Sequence, residues 1–420
     1  MALKQKIDFV KKPQVLWVAF RQKHLASYEQ YFSLENEFSH KLISKSPKEI
    51  SLQKICKLVQ TGGNLFFGKD SSIQLNEVVK HFQELNPKKK YYATWMLQLR
   101  ALYWLTWSKK ILQKNQPNVI IVWGGLQLYH VALKEAADER NIPILYLENG
   151  LLPNTTQIDH QGTNWRSSLR LIVESDYTAI SVDPKKMKNL YDSQILPRDQ
   201  RKSVLNKLHK PSLGINNVSL LPSRYAFLPL QVAKDSQIEL YSPWIPDMVT
   251  LINNVKKGLD AYNQEMTDAN SLSLVVKEHP SDFGRVKYDQ YKKYWQEQGI
   301  LFANELPTAE LIEKSSVVIT INSTVGTESL LKNKPVIVLG NAVYSHPGIT
   351  EQANSIQEIS QALKNYPITF DKTKVSQFLY YLYYYRLIIG HWKNSNSDHW
   401  RNLENRILEI YSNIIASKGV

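Results

Sequence analysis

Short apolar runs of strand length recur along this chain, each breaking into a polar loop and then into sequence of helical period. Val119-Ile120-Ile121-Val122-Trp123 closes on Gly124-Gly125, a helical stretch spans about 126–140, and Ile144-Leu145-Tyr146-Leu147 is the next run. Runs with no polar alternation are buried on both faces, as in parallel sheets covered by helices on each side. A strand–helix–strand unit of this kind predicts a parallel sheet. The first half also carries a strand at 15–20 and a helix at 97–112, with Lys109-Lys110 in its last turn as a helix C-terminus favours. The alternation resumes later, with strands at 225–230, 272–277, 317–321 and 335–339, a helix at 244–263, and another beginning near Thr324. A polar stretch at 189–219 reads as a boundary. The expected architecture is α/β, with two Rossmann-like domains and a cleft between them. An N-terminal α/β domain takes residues 1–205 and a C-terminal one 206–375, and helices at 376–420 pack back across both. The dense aromatic stripe Phe378–Tyr385 reads as one core-facing helix of that last segment.

At 420 residues, 43% hydrophobic and 21% charged, the chain can bury a core in each of two domains. Its formal charge of +14 favours anionic partners: polyanions, membrane surfaces or anionic substrates. The sequence shows no zinc-finger spacing, RNA-binding aromatic motif or long basic tail, which argues against nucleic acid. Lys88-Lys89-Lys90, followed by Tyr91, Tyr92 and Trp95, reads as a solvated loop entering a helix, with contact to a membrane surface as the sharper alternative. Cys56 is the only cysteine, so no intrachain disulfide forms and a reducing compartment is expected. The start, Met1–Lys6, lacks the apolar core of a signal peptide, and no apolar run reaches the length of a membrane span. The expectation is a cytoplasmic protein, with the inner membrane face as the surface it would touch.

Chemistry concentrates where predicted strands end, which is where open α/β sheets bind ligands. Lys277-Glu278-His279-Pro280 puts cationic and hydrogen-bonding groups at one such end. Asn322-Ser323-Thr324-Val325-Gly326-Thr327-Glu328 puts amide and hydroxyl groups where a strand gives way to a helix. Such groups cap backbone N–H donors, and the helix start favours an anion. Gly326 allows close backbone approach, and Glu328 is placed for a ribose hydroxyl. Pro229-Leu230-Gln231 leads to Asp235-Ser236-Gln237, a carboxylate among amides and hydroxyls, and Leu147-Glu148-Asn149-Gly150 is its counterpart in the first half. Two carboxylates, one per domain, suit a double displacement. Neither an Asp-x-Asp motif nor a full Gly-x-x-x-x-Gly-Lys-Ser/Thr loop occurs, since Gly63–Lys69 is followed by Asp70, which argues against a metal-dependent glycosyltransferase and a P-loop NTPase.

These segments, together with Asp159-His160-Gln161-Gly162-Thr163-Asn164, resemble in order and spacing the capsule-synthesis glycosyltransferases, most of all their retaining β-Kdo transferase branch in capsule, O-antigen and lipopolysaccharide assembly. The motifs span roughly residues 145–350. The resemblance implies a GT-B-like fold, a CMP-β-Kdo donor held mainly by the C-terminal domain, and a saccharide or lipid-linked glycan acceptor. It makes Asp235 the nucleophile that forms a covalent Kdo adduct and Glu148 the acid/base for the acceptor hydroxyl. His279 and Lys277 fall near the donor phosphate or Kdo carboxylate, Ser323 and Thr324 at the CMP phosphate, and Asn164 at a sugar. Gln231, Gln237, Asn322, Gly326 and Glu328 complete the substrate-binding set. No cofactor or metal is implied. Kdo carries its own carboxylate at the anomeric carbon, so an attacking Asp meets repulsion of roughly 4 kcal/mol at ~4 Å and an effective dielectric of ~20. Lys277, His279 and Lys234 are the cations expected to offset it. Two alternatives remain: an inverting, sialyltransferase-like CMP-sugar enzyme, and a non-catalytic subunit that binds polysaccharide or a lipid carrier.

Overall fold

The computed structural model describes residues 12–34, 37–47, 69–87, 94–194, 214–233, 235–282, 286 and 288–417. Met1–Lys6, Cys56, the Lys88-Lys89-Lys90 cluster with Tyr91 and Tyr92, much of the polar stretch at 189–219, and Lys234 lie outside them. The chain divides into two compact units. One takes the residues up to Gly150, Thr155–Ser168 and those from Leu387 onward, and the other Leu151–Asn154 and Leu169–Arg386. The division therefore falls earlier than residue 205, and the chain returns to the first unit later than residue 376. The helix Pro184–Gln194 explains the shift, because it packs on the helix Lys372–Tyr381 of the second unit. The Tyr384 hydroxyl donates to the carbonyl of Lys186 at 2.8 Å.

In the first unit Gln14–Ala19 (β1), Ser39–Ser44 (β2), Val119–Trp123 (β3) and Ile144–Asn149 (β4) run parallel in the order β4-β3-β1-β2. Thr155–Asp159 (β5) adds to β4 antiparallel. Side chains alternate between two buried faces. Leu16, Val18, Ile120 and Val122 join one core, with Trp104 and Val131 from flanking helices. Val15, Trp17, Val119 and Ile121 join the other, with Trp400 and Leu403 from the C-terminal helix Ser397–Ser417. Burial on both faces is why these strands read as unbroken apolar runs. Each fully buried Val, Leu or Ile contributes about 1.5–3 kcal/mol.

The second unit holds Tyr225–Pro229 (β6), Ser273–Lys277 (β7), Ile300–Phe302 (β8), Val317–Thr320 (β9), Val336–Val338 (β10) and Glu351–Gln352 (β11). All pair parallel, in the order β11-β10-β9-β6-β7-β8. Ala226, Leu228, Leu274, Val276 and Ile319 face one core, and Phe227, Val275 and Val318 the other. Helices Met248–Gln264 and Ile356–Thr369 pack closely there, capped by Asp247 and Ser355. A Cβ on Gly258 would meet Ile359 at 2.7 Å, so only glycine allows that approach. From β6 the chain steps to β7 and β8 on one side, then crosses to β9 on the other. The point where the order reverses lies between β6 and β9, the usual ligand crevice of such sheets.

Two Rossmann-like parallel-sheet bodies are thus the fold class the sequence predicted. The aromatic stripe differs in detail. The α-helix ends at Tyr381 and Leu382–Arg386 continues as a π-helical turn, burying Leu382 and Tyr383 and leaving Tyr385 exposed. The chain then enters Ile388–Ile389 (β12), antiparallel to β5 in the first unit. No helix among the described residues is long and apolar enough to cross a membrane.

Candidate functional site

Three motif-bearing loops leave the carboxyl ends of three adjacent parallel strands of the second unit. The β6 loop carries Gln231 and Asp235, the β7 loop Glu278 and His279, and the β9 loop Asn322, Ser323 and Thr324. Gln231 and Asn322 bind each other across the reversal point. The Gln231 amide nitrogen donates to Asn322 Oδ1 at 2.9 Å, and the Asn322 backbone N–H donates to Gln231 Oε1 at 3.2 Å. Asn322 Nδ2 also donates to the carbonyls of Gln237 and Tyr241 at 3.1 and 3.4 Å. Both side chains are buried, and their amides join the β6 and β9 loops across the reversal point.

Asp235 begins the helix Ser236–Tyr241. Its Oδ1 accepts the backbone N–H of Gln237 at 3.0 Å and the Ser236 hydroxyl at 3.3 Å, and neither bond uses Oδ2. An N-cap of this kind holds a carboxylate in one orientation. The loop ahead of it is tied down by Asp282, a buried residue whose Oδ2 accepts the N–H of Ala233 at 2.8 Å. Asp282 follows His279 by one turn, its N–H donating to the His279 carbonyl. Burial holds His279 below the ordinary histidine range, while the negative charges of Asp282 and Asp235 push it back up. The His279 Nδ1 accepts the N–H of Ser281 at 3.1 Å, which places the proton of the neutral ring on Nε2.

Lys277 has another role. Its Nζ donates to the carbonyls of Asn304 and Leu306 at 2.5 and 2.7 Å inside the unit. Burial lowers it to about 8, against the opposing pull of Glu278. Glu278 is buried beside it, bonded to Asn304 Nδ2 at 2.7 Å and ion-paired with Lys292 at 3.0 Å. These groups stiffen the β7–β8 edge beneath His279.

Ser323 Oγ accepts the N–H of Val325 at 3.2 Å, and Thr324 is exposed beside it. The Ser323 carbonyl accepts the Tyr344 hydroxyl at 2.6 Å, and Tyr344 is buried. A Cβ on Gly326 would lie 2.3 Å from that hydroxyl oxygen. Close backbone approach does explain this glycine, but the neighbour is Tyr344. Glu328 is half-buried in the first turn of Val325–Leu331. Gln237 is also half-buried, and its carbonyl serves Asn322.

Glu148 and Asn164 belong to the first unit. Glu148 is the penultimate residue of β4, and its Oε1 accepts the N–H and Nδ2 of Asn149 at 2.9 and 3.2 Å. Asn164 takes a left-handed conformation, φ 55°, where a turn leaves β5. That turn is organised by Asp159, buried, which accepts from the N–H groups of Gln161, Gly162 and Ser168 and from the Ser168 hydroxyl. Sequence reasoning missed Asp282, Asn304 and Tyr344. Asp282 carried a faint signal, standing one helical turn after His279 behind a proline.

Residues 193–383 match the model of the family described as capsule polysaccharide biosynthesis protein. The match contains the Asp235, His279 and Ser323 loops. Protein FixF of Sinorhizobium fredii is 29% identical over 76% of this chain and 71% of its own length. The capsule polysaccharide export protein KpsS of Escherichia coli is 26% identical over 59% of this chain and 73% of its own. Among solved structures, the KpsC β-Kdo 2,7 transferase of Thermosulfurimonas dismutans matches 83% of this chain and 89% of its own, at 15% identity and a TM-score of 0.40.

Proposed function

We propose that the protein is a retaining glycosyltransferase of surface polysaccharide synthesis, moving Kdo from CMP-β-Kdo to a saccharide or lipid-linked glycan acceptor. One observation carries the reading: the Asp235, His279 and Ser323 loops all rise from the carboxyl ends of adjacent parallel strands, around the reversal point of one sheet. In the first step Asp235 Oδ2 attacks the anomeric carbon of Kdo. The bond from that carbon to the CMP phosphate oxygen breaks, and CMP leaves with the electron pair. In the second step the acceptor hydroxyl attacks the same carbon, Glu148 takes its proton, and Asp235 is released as carboxylate. Two inversions give net retention.

The chain's own groups suit the electrostatics. His279, when protonated, offsets repulsion between Asp235 and the Kdo carboxylate. Ser323 and Thr324 offer hydroxyl and backbone donors to the phosphate. With Lys277 bonded inside the fold, His279 is the described cation left to that task in these three loops, and no metal or cofactor is required. The donor is anionic, in keeping with the net charge of +14. The family match supports a place in capsule synthesis.

Incubation with freshly generated CMP-β-Kdo and an acceptor glycan tests the reading. Transfer with the β configuration kept, as read by NMR of the product, supports it. An inverted product supports the sialyltransferase-like alternative. A protein that is not stabilised by CMP and releases none from the donor is a binding subunit. A ligand at a hundred times its dissociation constant adds ~2.7 kcal/mol, readily visible in thermal unfolding.

A further inference from the structure

Resting on the reading of Glu148 as acid/base, we propose that Trp392 and Asn149 form a clamp that fixes the Glu148 carboxylate. Trp392 stands 243 residues from Asn149 in sequence, and its indole nitrogen donates to Asn149 Oδ1 at 2.9 Å. It arrives there on the segment that follows β12. That segment is pinned to β5 by strand pairing and by the Thr156 hydroxyl, which donates to the Gly390 carbonyl at 3.0 Å. Since β5 pairs with β4 at Glu148 and Asn149, the sheet itself holds the two partners in register.

The indole ring has little freedom. It is buried, with Trp123 at 4.7 Å between centroids, His24 at 5.5 Å and His391 at 5.6 Å. Trp Nε1 is a donor only. Asn149 must therefore turn its oxygen to the indole, which directs its NH2 to Glu148. The amide orientation follows from chemistry and is not an arbitrary choice between O and N. The result is two N–H donors, Nδ2 and the backbone N–H of Asn149, on the single oxygen Oε1 of Glu148. Donors to a carboxylate favour its ionised form. A base that must accept a proton from an acceptor hydroxyl is thereby kept charged and held in one rotamer. Trp392 touches no substrate in this account and is a positioning residue.

The experiment is a titration of the Glu carboxyl carbons, 13C-labelled, in the full-length protein, with Glu148 assigned through Glu148→Gln. In Trp392→Phe the ring is kept and the donor lost, and the Glu148 titration should move up by about half a unit to one unit. Asn149→Asp should move it further in the same direction, because a second carboxylate replaces the NH2. The acid limb of the transfer rate should follow both, with the donor KM and the stabilisation by CMP unchanged. A Glu148 titration in Trp392→Phe that superimposes on wild type overturns the clamp. So does a uniform loss at every pH accompanied by loss of CMP stabilisation, which marks general damage. If the titrations move as stated but Glu148→Gln transfers at the wild-type rate, the clamp stands as electrostatics and the catalytic reading of Glu148 falls.

Discussion

Gly326 shows how narrowly single positions are set. A methyl group there would overlap the Tyr344 hydroxyl, which is itself bonded to the Ser323 carbonyl. Gly326→Ala should cost about 1–3 kcal/mol by overpacking, measured by chemical denaturation, and should weaken CMP stabilisation because the Ser323 turn moves. Lys277 permits a second test at this scale. Burial lowers it to about 8 from 10.5, so above pH 8 the unfolded chain holds a proton that the folded chain has lost. Stability then rises with pH between about 8 and 10.5, by roughly 1.4 kcal/mol per unit. The difference in unfolding free energy between wild type and Lys277→Met should grow by about 2 kcal/mol from pH 8 to 9.5, and a constant difference would contradict the assignment.

At the scale of elements, the β6 and β7 loops act together through Asp282. Its carboxylate holds the Ala233 N–H and raises the His279 proton affinity against burial. Asp282→Asn keeps an acceptor oxygen but removes the charge. The His279 ring titration, followed by NMR, should fall below its wild-type value, and the fraction of protonated His279 at neutral pH should fall with it. Asp235→Asn should act in the same direction, since it also faces His279. An unmoved titration in both variants would show that these carboxylates do not govern His279. Strands were legible because both faces are buried, so β3, β6, β7 and β9 stand out as apolar runs. The loops at their ends were legible because polar groups gather there. What the sequence hid was pairing across distance. Gln231 with Asn322, Ala233 with Asp282 and Asn149 with Trp392 are contacts between residues far apart in the chain, set by sheet order, which local pattern does not encode. Lys277 illustrates the same limit: a cation at a strand end invites an anion, but the carbonyls of Asn304 and Leu306 reach it first.

For the whole molecule, the parallel order of the second sheet is what gives the motifs a common location. The polar stretch around 189–219 misled as a boundary because polarity alone does not separate units. The helix Pro184–Gln194 is polar on its outer side and still packs on its own unit. The family match over 193–383 covers most of the unit that bears Asp235 and leaves Glu148, Asn149 and Trp392 outside it. In the proposed reaction Asp235 becomes covalently attached to sugar. The simplest rival is that Asp235 is only a helix cap, and Asn caps as well as Asp does. Intact mass of the protein mixed with freshly generated CMP-β-Kdo, beside Asp235→Asn, separates the two. A covalent role for Asp235 gives a gain of one Kdo residue on the wild type and none on the variant, with the variant as stable as wild type. CMP release at the wild-type rate from Asp235→Asn, or an adduct of equal yield on both proteins, would contradict it.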